Sequence, residues 1–572
     1  MDFQRLFLFI ALSIVLLLIW DAWQKDFGHQ APTPTQASAP AHPGAAPSSG
    51  TGQGASDVPT VAPSASTPES AKTPASSAAP AHAAQPADVL KQGRRIRVHT
   101  DTLDVVIDTV GGDIRRVKLP KYPVSANKPD TPFVLMDDTD QHLFVAQSGF
   151  TQKPGVKVNA PNHYSTYSAE RTDYTLQPGE KTLTVDLTWT GRDGVSVTKR
   201  YTFTRGRYLI KMAYLVHNGG TRPWQANAYD QLQRTKPPSQ SHLGEHTYTG
   251  AVYWSPSDHY QKVSFGDIDD GALKKTFKGG WAAMIQHYFL GAWIPNPDAS
   301  FHYYTQALNG ERYVIGLYSP QLSVAPGQSR TLDASSLFVG PKVQKRLEAI
   351  APGLDLTVDY GYLTFISKPL YWLLAKIHGF VGNWGWAIVL LTILIKAVFY
   401  KLSETSYKSM ANMRRVQPRM KAIKERFAGD RQRQNQAMME LYKKEKINPL
   451  GGCLPIAIQI PVFIALYWVL LESVELRQAD WIFWIHDLST KDPYYVLPII
   501  MGITMLLQQR LNPTPMDPIQ AKVMMVLPIA FTVFFAFFPA GLVIYWIVNN
   551  SLSILQQWYI TRVVLKTKGA AT

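Results

Sequence analysis

At 572 residues the chain is too long for one compact core, so two or more domains are expected. Its one cysteine, Cys453, excludes an internal disulfide and any CxxC metal or redox site. The formal net charge of +15 admits nucleic acid as a partner, but the basic excess lies beside long apolar blocks, which argues for a membrane and against DNA.

Residues 1–27 begin with Asp2 and Arg5, followed by the apolar run Leu6–Trp20 and then Trp23. No small-x-small cleavage site follows the run, and Trp20 and Trp23 suit an outer interface. A retained transmembrane anchor is therefore expected rather than a cleaved signal peptide. Residues 28–91 are mostly Ala, Pro, Ser, Thr, Gly and Gln in low-complexity order. They offer too little apolar surface to offset the entropy of ordering, and read as a flexible linker.

Residues 92–350 turn to period-two alternation. Leu183, Val185, Leu187 and Trp189 alternate with polar residues, the turn Gly191-Arg192-Asp193-Gly194 follows, and Val195, Val197, Tyr201 and Phe203 alternate again. Leu103–Ile107 and Tyr208–Val216 read the same way, which predicts a large antiparallel β-sandwich. In residues 351–380 the spacing becomes helical, with Leu363, Ile366, Leu370, Leu373, Leu374 and Ile377 interleaved with Lys368, Lys376 and His378. That pattern suits an amphipathic helix on a membrane surface, with a cap on the β domain as the alternative.

Apolar spans follow at 384–402, 453–472, 494–511, 521–538 and 540–562. Residues 381–402 thus hold transmembrane helix 2, and residues 448–565 hold helices 3 to 6. Counting the N-terminal anchor, the predicted fold class is an α-helical polytopic membrane protein of six transmembrane helices with a large β-sandwich domain. Pro455, Pro461, Pro498 and Pro528 interrupt these spans, which lipid tolerates only where neighbouring helices or water satisfy the freed backbone groups. Residues 403–447 read as a hairpin of two helices turning at Gly429-Asp430. From Lys401 to Lys446 thirteen basic residues stand against five acidic ones, whereas the loop 473–493 holds Glu475, Asp480, Asp487 and Asp492 against Arg477 and Lys491. The positive-inside rule places the hairpin, both termini and the tail 566–572 in the cytoplasm, and the β domain outside.

Lys396 is the most informative residue. Counted from Trp386 at the outer interface, it lies about 15 Å into the membrane. A charge there costs about 2.5–3.5 kcal/mol on insertion scales, so it should face a bundle interior or a wet cavity. Snorkelling to the inner interface is the plain alternative. No acidic residue occurs in 453–471, 494–511 or 519–565 to neutralise it, which favours water as its partner. Thr392 lies one turn earlier on the same face, and Gln459, Gln508, Gln509, Asn549 and Asn550 add polar groups within or near the ends of the spans. Together they suggest a polar groove. The hairpin's Arg414, Arg415, Arg419, Lys421, Lys424 and Arg426 read as a solvated basic surface able to meet lipid headgroups or ribosomal RNA.

Nothing catalytic emerges. Asp137-Asp138 and Asp269-Asp270 are paired only in sequence, and GxSxG, HExxH and GxxxxGK[ST] arrangements are missing. His217, His242 and His246 are the nearest approach to a histidine cluster, and their spacing is weak for a metal site, so neither a metal nor a cofactor is expected.

Several stretches resemble the YidC/Oxa/Albino family of membrane protein insertases. They are Asp2-Phe3-Gln4-Arg5 with Ile19-Trp20, Phe380-Val381-Gly382-Asn383-Trp384-Gly385, and Asn448-Pro449-Leu450-Gly451-Gly452-Cys453. Ser473-Val474-Glu475-Leu476-Arg477 through Ile485-His486-Asp487-Leu488 and Phe538-Pro539-Ala540-Gly541-Leu542 complete the set. The resemblance implies a bacterial inner-membrane insertase and folding chaperone that hydrolyses no nucleotide. Its five-helix core would form a positively charged groove, and its periplasmic domain would be a β-supersandwich of sugar-binding type without assigned catalysis. It places the groove charge on Lys396, where many bacterial members have arginine, and a point charge replaces a planar fork. It also assigns substrate contact to Thr392 and to Trp546, a position commonly tyrosine, and an apolar slide to Phe463 and Phe534. The clients would be nascent membrane proteins, with the hairpin contacting the signal-recognition particle, its receptor and the Sec translocon. A solute transporter would more often show inverted repeats and paired intramembrane charges. An envelope sugar-binding or sugar-modifying protein would leave Lys396 unexplained.

Overall fold

The alternation around Gly191–Gly194 forms the hairpin it predicts. Thr182–Thr190 pairs antiparallel with Val195–Thr204, and Val185, Leu187, Val197, Tyr201 and Phe203 are buried. The structure, a computed structural model, describes residues 57–59, 90–139, 142–152, 159–238, 247–445, 454–512 and 518–564. The predicted anchor 1–27, most of the linker 28–91, the Asn448–Cys453 stretch and the tail 566–572 lie outside the described residues.

Among the described residues, twenty strands form two sheets of eleven and nine strands. Ile96, Val105 and Ile114 of the larger sheet share one buried cluster with Val197, Tyr214 and Leu337 of the smaller, so the sheets stack face to face. One ladder departs from the antiparallel expectation, since Arg95–His99 pairs parallel with Asp173–Thr175. The chain reaches that edge from Ser168–Ala169 in the other sheet, and a crossover of this kind, unlike a hairpin, permits parallel entry.

The linker reading needs a correction at one point. Asp57 is 3% exposed, and Asp57–Pro59 lies against the larger sheet. Composition averaged over a long window hides three residues that find specific partners.

Two short helices, α1 (Phe265–Asp270) and α2 (Gln344–Glu348), belong to the β domain. The helical part begins at α3 (Thr364–Val381) and α4 (Trp384–Val398), and continues through α5 (Tyr400–Arg426) and α6 (Arg431–Lys444). It ends with α7 (Leu454–Glu472), α8 (Val496–Leu511), α9 (Pro518–Phe535) and α10 (Ala540–Tyr559). Helix α3 buries Ser367 and Leu374 and exposes Phe365, Trp372 and Phe380 on its other side. The Ser367 hydroxyl donates to Ala465 O at 3.2 Å, tying α3 to α7.

The expected continuous span 384–402 is interrupted. Phe399 leaves helical geometry at φ −88°, ψ 12°, and α4 and α5 meet there at 67°. The break falls where the apolar run gives way to Tyr400-Lys401-Leu402-Ser403-Glu404, so the predicted span extends three residues beyond it into the next helix. Among the described residues no single helix is long and apolar enough to cross a membrane, and this bent pair alone meets that test. The helix Ile458–Glu472, α8 and Lys522–Phe535 are shorter apolar helices, so the described residues do not establish six spans.

The loop between α7 and α8 meets the β domain. Arg477 Nη2 donates to Pro123 O at 2.7 Å and Val124 O at 3.0 Å, and its guanidinium lies over the Phe133 and Phe289 rings. His287 Nε2 lies 2.9 Å from Leu471 O, and buried Lys342 stands 3.9 Å from buried Glu472.

Candidate functional site

The candidate site lies where α4, α7 and α10 converge. Asn383 starts α4 by accepting from Trp386 N at 3.1 Å, while its Nδ2 donates to Asp480 O at 3.1 Å, which fixes the helix to the 473–493 loop. Three turns on, half-buried Lys396 donates from Nζ to Ser553 Oγ at 2.7 Å. Ser553 donates in turn to Asn549 O at 2.7 Å, and Gln459 Nε2 reaches Asn549 Oδ1 at 2.7 Å. A small cleft between Ile395, Lys396, Phe399, Leu402, Ser403 and Gln459 opens beside the ammonium. Among the described residues no carboxylate pairs with Lys396, and its charge is met by a hydroxyl.

Several predicted polar residues take part, and others do not. Gln459 and Asn549 join the Lys396 network. Thr392 is buried one turn above Lys396, but its hydroxyl donates to Ile388 O at 2.7 Å. Asn550 donates to Thr504 Oγ1 at 3.3 Å and Gln509 to Met524 O at 2.5 Å, so both join helices elsewhere. Gln508 is half-buried and hydrogen-bonds to no member of the network among the described residues. Ser553 is the member of this network that sequence reading missed. It follows Asn549 by one helical turn, the same spacing that linked Thr392 to Lys396.

Beside this polar cluster stands an aromatic one. Trp546 packs edge-on against Phe463 at 5.0 Å and Phe535 at 5.6 Å, and its buried Nε1 has no hydrogen-bond partner among the described residues. Phe463 also stacks on Tyr545, whereas Phe534 is 46% exposed. The two predicted slide residues therefore differ, with Phe463 inside the packing and Phe534 on the outside of α9.

Helices α5 and α6 form the predicted hairpin, with Gly429 at φ 102° and Asp430 capping α6 through Arg433 N. Val416 and Met420 pack with Met438, Leu441 and Tyr442 along its seam. Arg414, Arg415, Arg419, Lys421, Lys424 and Arg426 are all exposed. Arg415 and Arg419 share Glu445, at 3.3 and 2.6 Å. Exposed pairs of this kind add little stability and leave the surface basic.

The sequence that builds this cleft and the β domain has close relatives. Residues 95–373 match the family described as the YidC periplasmic domain, and residues 376–568 match the 60Kd inner membrane protein family. The membrane protein insertase YidC of Thioalkalivibrio sulfidiphilus is 52% identical over 573 residues, covering 99% of each chain. That of Methylococcus capsulatus is 50% identical over 100% of each chain, and that of Alkalilimnicola ehrlichii 53% over 98% of this chain and 96% of its own. A solved active YidC insertase aligns over 83% of this chain and 94% of that one, at 16% identity and a TM-score of 0.37, which adds nothing to the sequence match.

These matches define the class as a membrane protein insertase of the bacterial inner membrane, carrying a periplasmic domain and acting on nascent membrane proteins. Proteins of this class are not enzymes. Within the class, the chain belongs to the YidC family.

Proposed function

We propose that the cleft around Lys396 receives the polar segment of a nascent membrane protein while the apolar helix of that client partitions into lipid beside α7 and α9. The observation that carries this reading is Lys396 itself, a cation among helices whose one hydrogen-bond partner among the described residues is the neutral hydroxyl of Ser553. An ammonium without a counter-charge lowers the cost of bringing in an acidic or strongly polar segment. Gln459 and Asn549 offer exchangeable hydrogen bonds, and the buried Trp546 Nε1 has no acceptor among the described residues. Phe534 supplies exposed apolar surface for the departing helix.

The same reading gives the chain a cytoplasmic hairpin, cytoplasmic termini and a periplasmic β domain, with α3 lying on the membrane surface. The exposed basic face of α5 suits ribosomal RNA, the signal-recognition particle and its receptor, or anionic headgroups, and the insertase works alone or beside the Sec translocon while also helping clients fold. Complementation tests the central claim. In cells depleted of their own insertase, wild type and Lys396→Arg should restore insertion of a short-tailed client, and Lys396→Ala should lower it about tenfold or more. Full rescue by Lys396→Ala would remove the charge from the mechanism.

A further inference from the structure

Between residues 28 and 88 the sequence has two branched apolar side chains other than threonine, Val58 and Val61. Val58 packs against Tyr229, Tyr304, Leu308, Val314 and Tyr318. These five form a cluster separate from the inter-sheet core. Leu232, Ile315 and Leu317, their neighbours along the same strands, belong to that core, so Val58 lies on the face turned away from the second sheet. Gly316 makes the site possible. A Cβ there would come within 2.6 Å of the Tyr304 hydroxyl, and without it the phenol lies across the strand and bonds Gln231 Oε1 at 2.7 Å.

The residues on either side of Val58 are held by polar groups. The Asp57 carboxylate accepts from the Tyr164 hydroxyl and lies 3.2 Å from His163 Nε2. His163 is itself buried and fixed, with Nδ1 2.5 Å from the Tyr229 hydroxyl and its backbone N–H on the same oxygen at 3.1 Å. Pro59 has no N–H to satisfy, and its carbonyl accepts from Thr151 Oγ1 at 2.7 Å. Three consecutive residues are thus read by an acid-binding imidazole–phenol pair, an aromatic pocket and a carbonyl-binding hydroxyl.

We propose that Asp57-Val58-Pro59 is a clasp, a short acidic–branched–proline motif that a dedicated pocket on the outer face of the larger sheet captures in cis. The motif pins the chain at a second point. From residue 27 to Asp57 about 30 residues reach at most about 100 Å, whereas about 60 residues to Leu90 would reach about 210 Å. The clasp therefore halves the length of chain between the predicted N-terminal anchor and the β domain. Capture in cis also gives a high effective concentration, so a few contacts suffice to hold the segment.

Endoproteinase Asp-N, which cuts before aspartate, reads this directly on the full-length protein in detergent. Asp57 and Asp88 are its two aspartate sites between residues 28 and 88, so the cut before Asp88 serves as an internal control. Cleavage between Ser56 and Asp57 should be at least tenfold slower than before Asp88. Val58→Ser should remove that difference without changing the circular dichroism, because residue 58 lies in neither sheet. Protection should also be unchanged on tenfold dilution, since a segment borrowed from a second copy would lose it. Equal cleavage at the two sites in the wild type, protection that survives Val58→Ser, or protection that falls on dilution would each overturn the clasp.

Discussion

Lys199 occupies the centre of the sandwich, fully buried, with Nζ donating to Gly111 O at 2.6 Å, Ser148 O at 3.0 Å and Ser148 Oγ at 2.9 Å. Burial pulls its pKa from 10.5 down to about 8, with Asp113 opposing the shift. Below pH 8 the folded and unfolded chains are both protonated there, and the full cost of burying the ammonium is present. Between about 8 and 10.5 the folded form releases its proton first, so this group makes stability rise with pH. Asp230 acts in the other direction at lower pH. Burial raises its pKa to about 7, and stability falls as pH climbs from 3.8 towards 7. Buried Tyr201 and Tyr214, raised well above 10, oppose the lysine only in stronger alkali. The urea midpoint of the β-sheet signal should therefore rise between pH 7.5 and 9.5 in the wild type, and this rise should vanish in Lys199→Met. At pH 7.5 that variant should lose about 2 kcal/mol, because the carbonyls of Gly111 and Ser148 are left buried without a donor. Lys199 was illegible in the sequence. It stands at the inward position between Val197 and Tyr201, where a strand pattern leads one to expect an apolar side chain.

At the scale of elements, the junction of α3 and α4 shows why its residues matter. Gly382 takes φ 71° to end α3, Asn383 caps α4, and Gly385 lies under Trp481 so closely that a Cβ would fall 2.0 Å from the ring's Cδ1. Gly385→Ala must push Trp481 out of the 473–493 loop and should cost about 1–3 kcal/mol, seen as a lower melting temperature in detergent. Asn383→Ala should cost about 1 kcal/mol through the lost cap. Elements with a strong period were legible. The Thr182–Thr204 hairpin follows from alternation, and the α5–α6 turn from Gly429-Asp430 between two polar helical stretches. The docking of Asp57–Pro59 was not legible, because it depends on Thr151, His163 and Tyr164 far along the chain, and at Phe399 the change from apolar to charged residues marks an end to the span but not a 67° bend. The candidate site was legible in part. Lys396, Gln459 and Asn549 stand out as polar groups that lipid would penalise, whereas the hydrogen bonds of Thr392 and Asn550 go to the nearest backbone or side-chain partner.

Across the whole molecule, two groups of contacts join the β domain to the helices, and they divide at about residue 340. The strands contribute Pro123, Val124, Phe133, His287 and Phe289 to Arg477 and Leu471. Beyond them, Lys342 stands beside Glu472, and the chain from Leu354 onward bonds mainly the helices, although Asp359 also pairs with Lys262 of the strands. Lys368 bonds Asp355 at 2.7 Å, Tyr371 bonds Glu475 at 2.6 Å, and Ser367 reaches α7. A buried face left by removing the sheets is polar at Arg477 and can be rehydrated, because its guanidinium loses carbonyl acceptors that water replaces. Removing residues 354–381 would instead strip α3 from α4 and α7 and take the Tyr371 hydroxyl from the Glu475 carboxylate inside the helical packing. Deletion of residues 92–340 should therefore retain most insertion activity in depleted cells, and extending the deletion through residue 381 should abolish it. Comparable expression of both chains, checked by immunoblot of the membrane fraction, makes the difference a measure of function. If the shorter deletion alone were inactive, the β domain would have to act on the client itself, and the helical cleft around Lys396 would be insufficient.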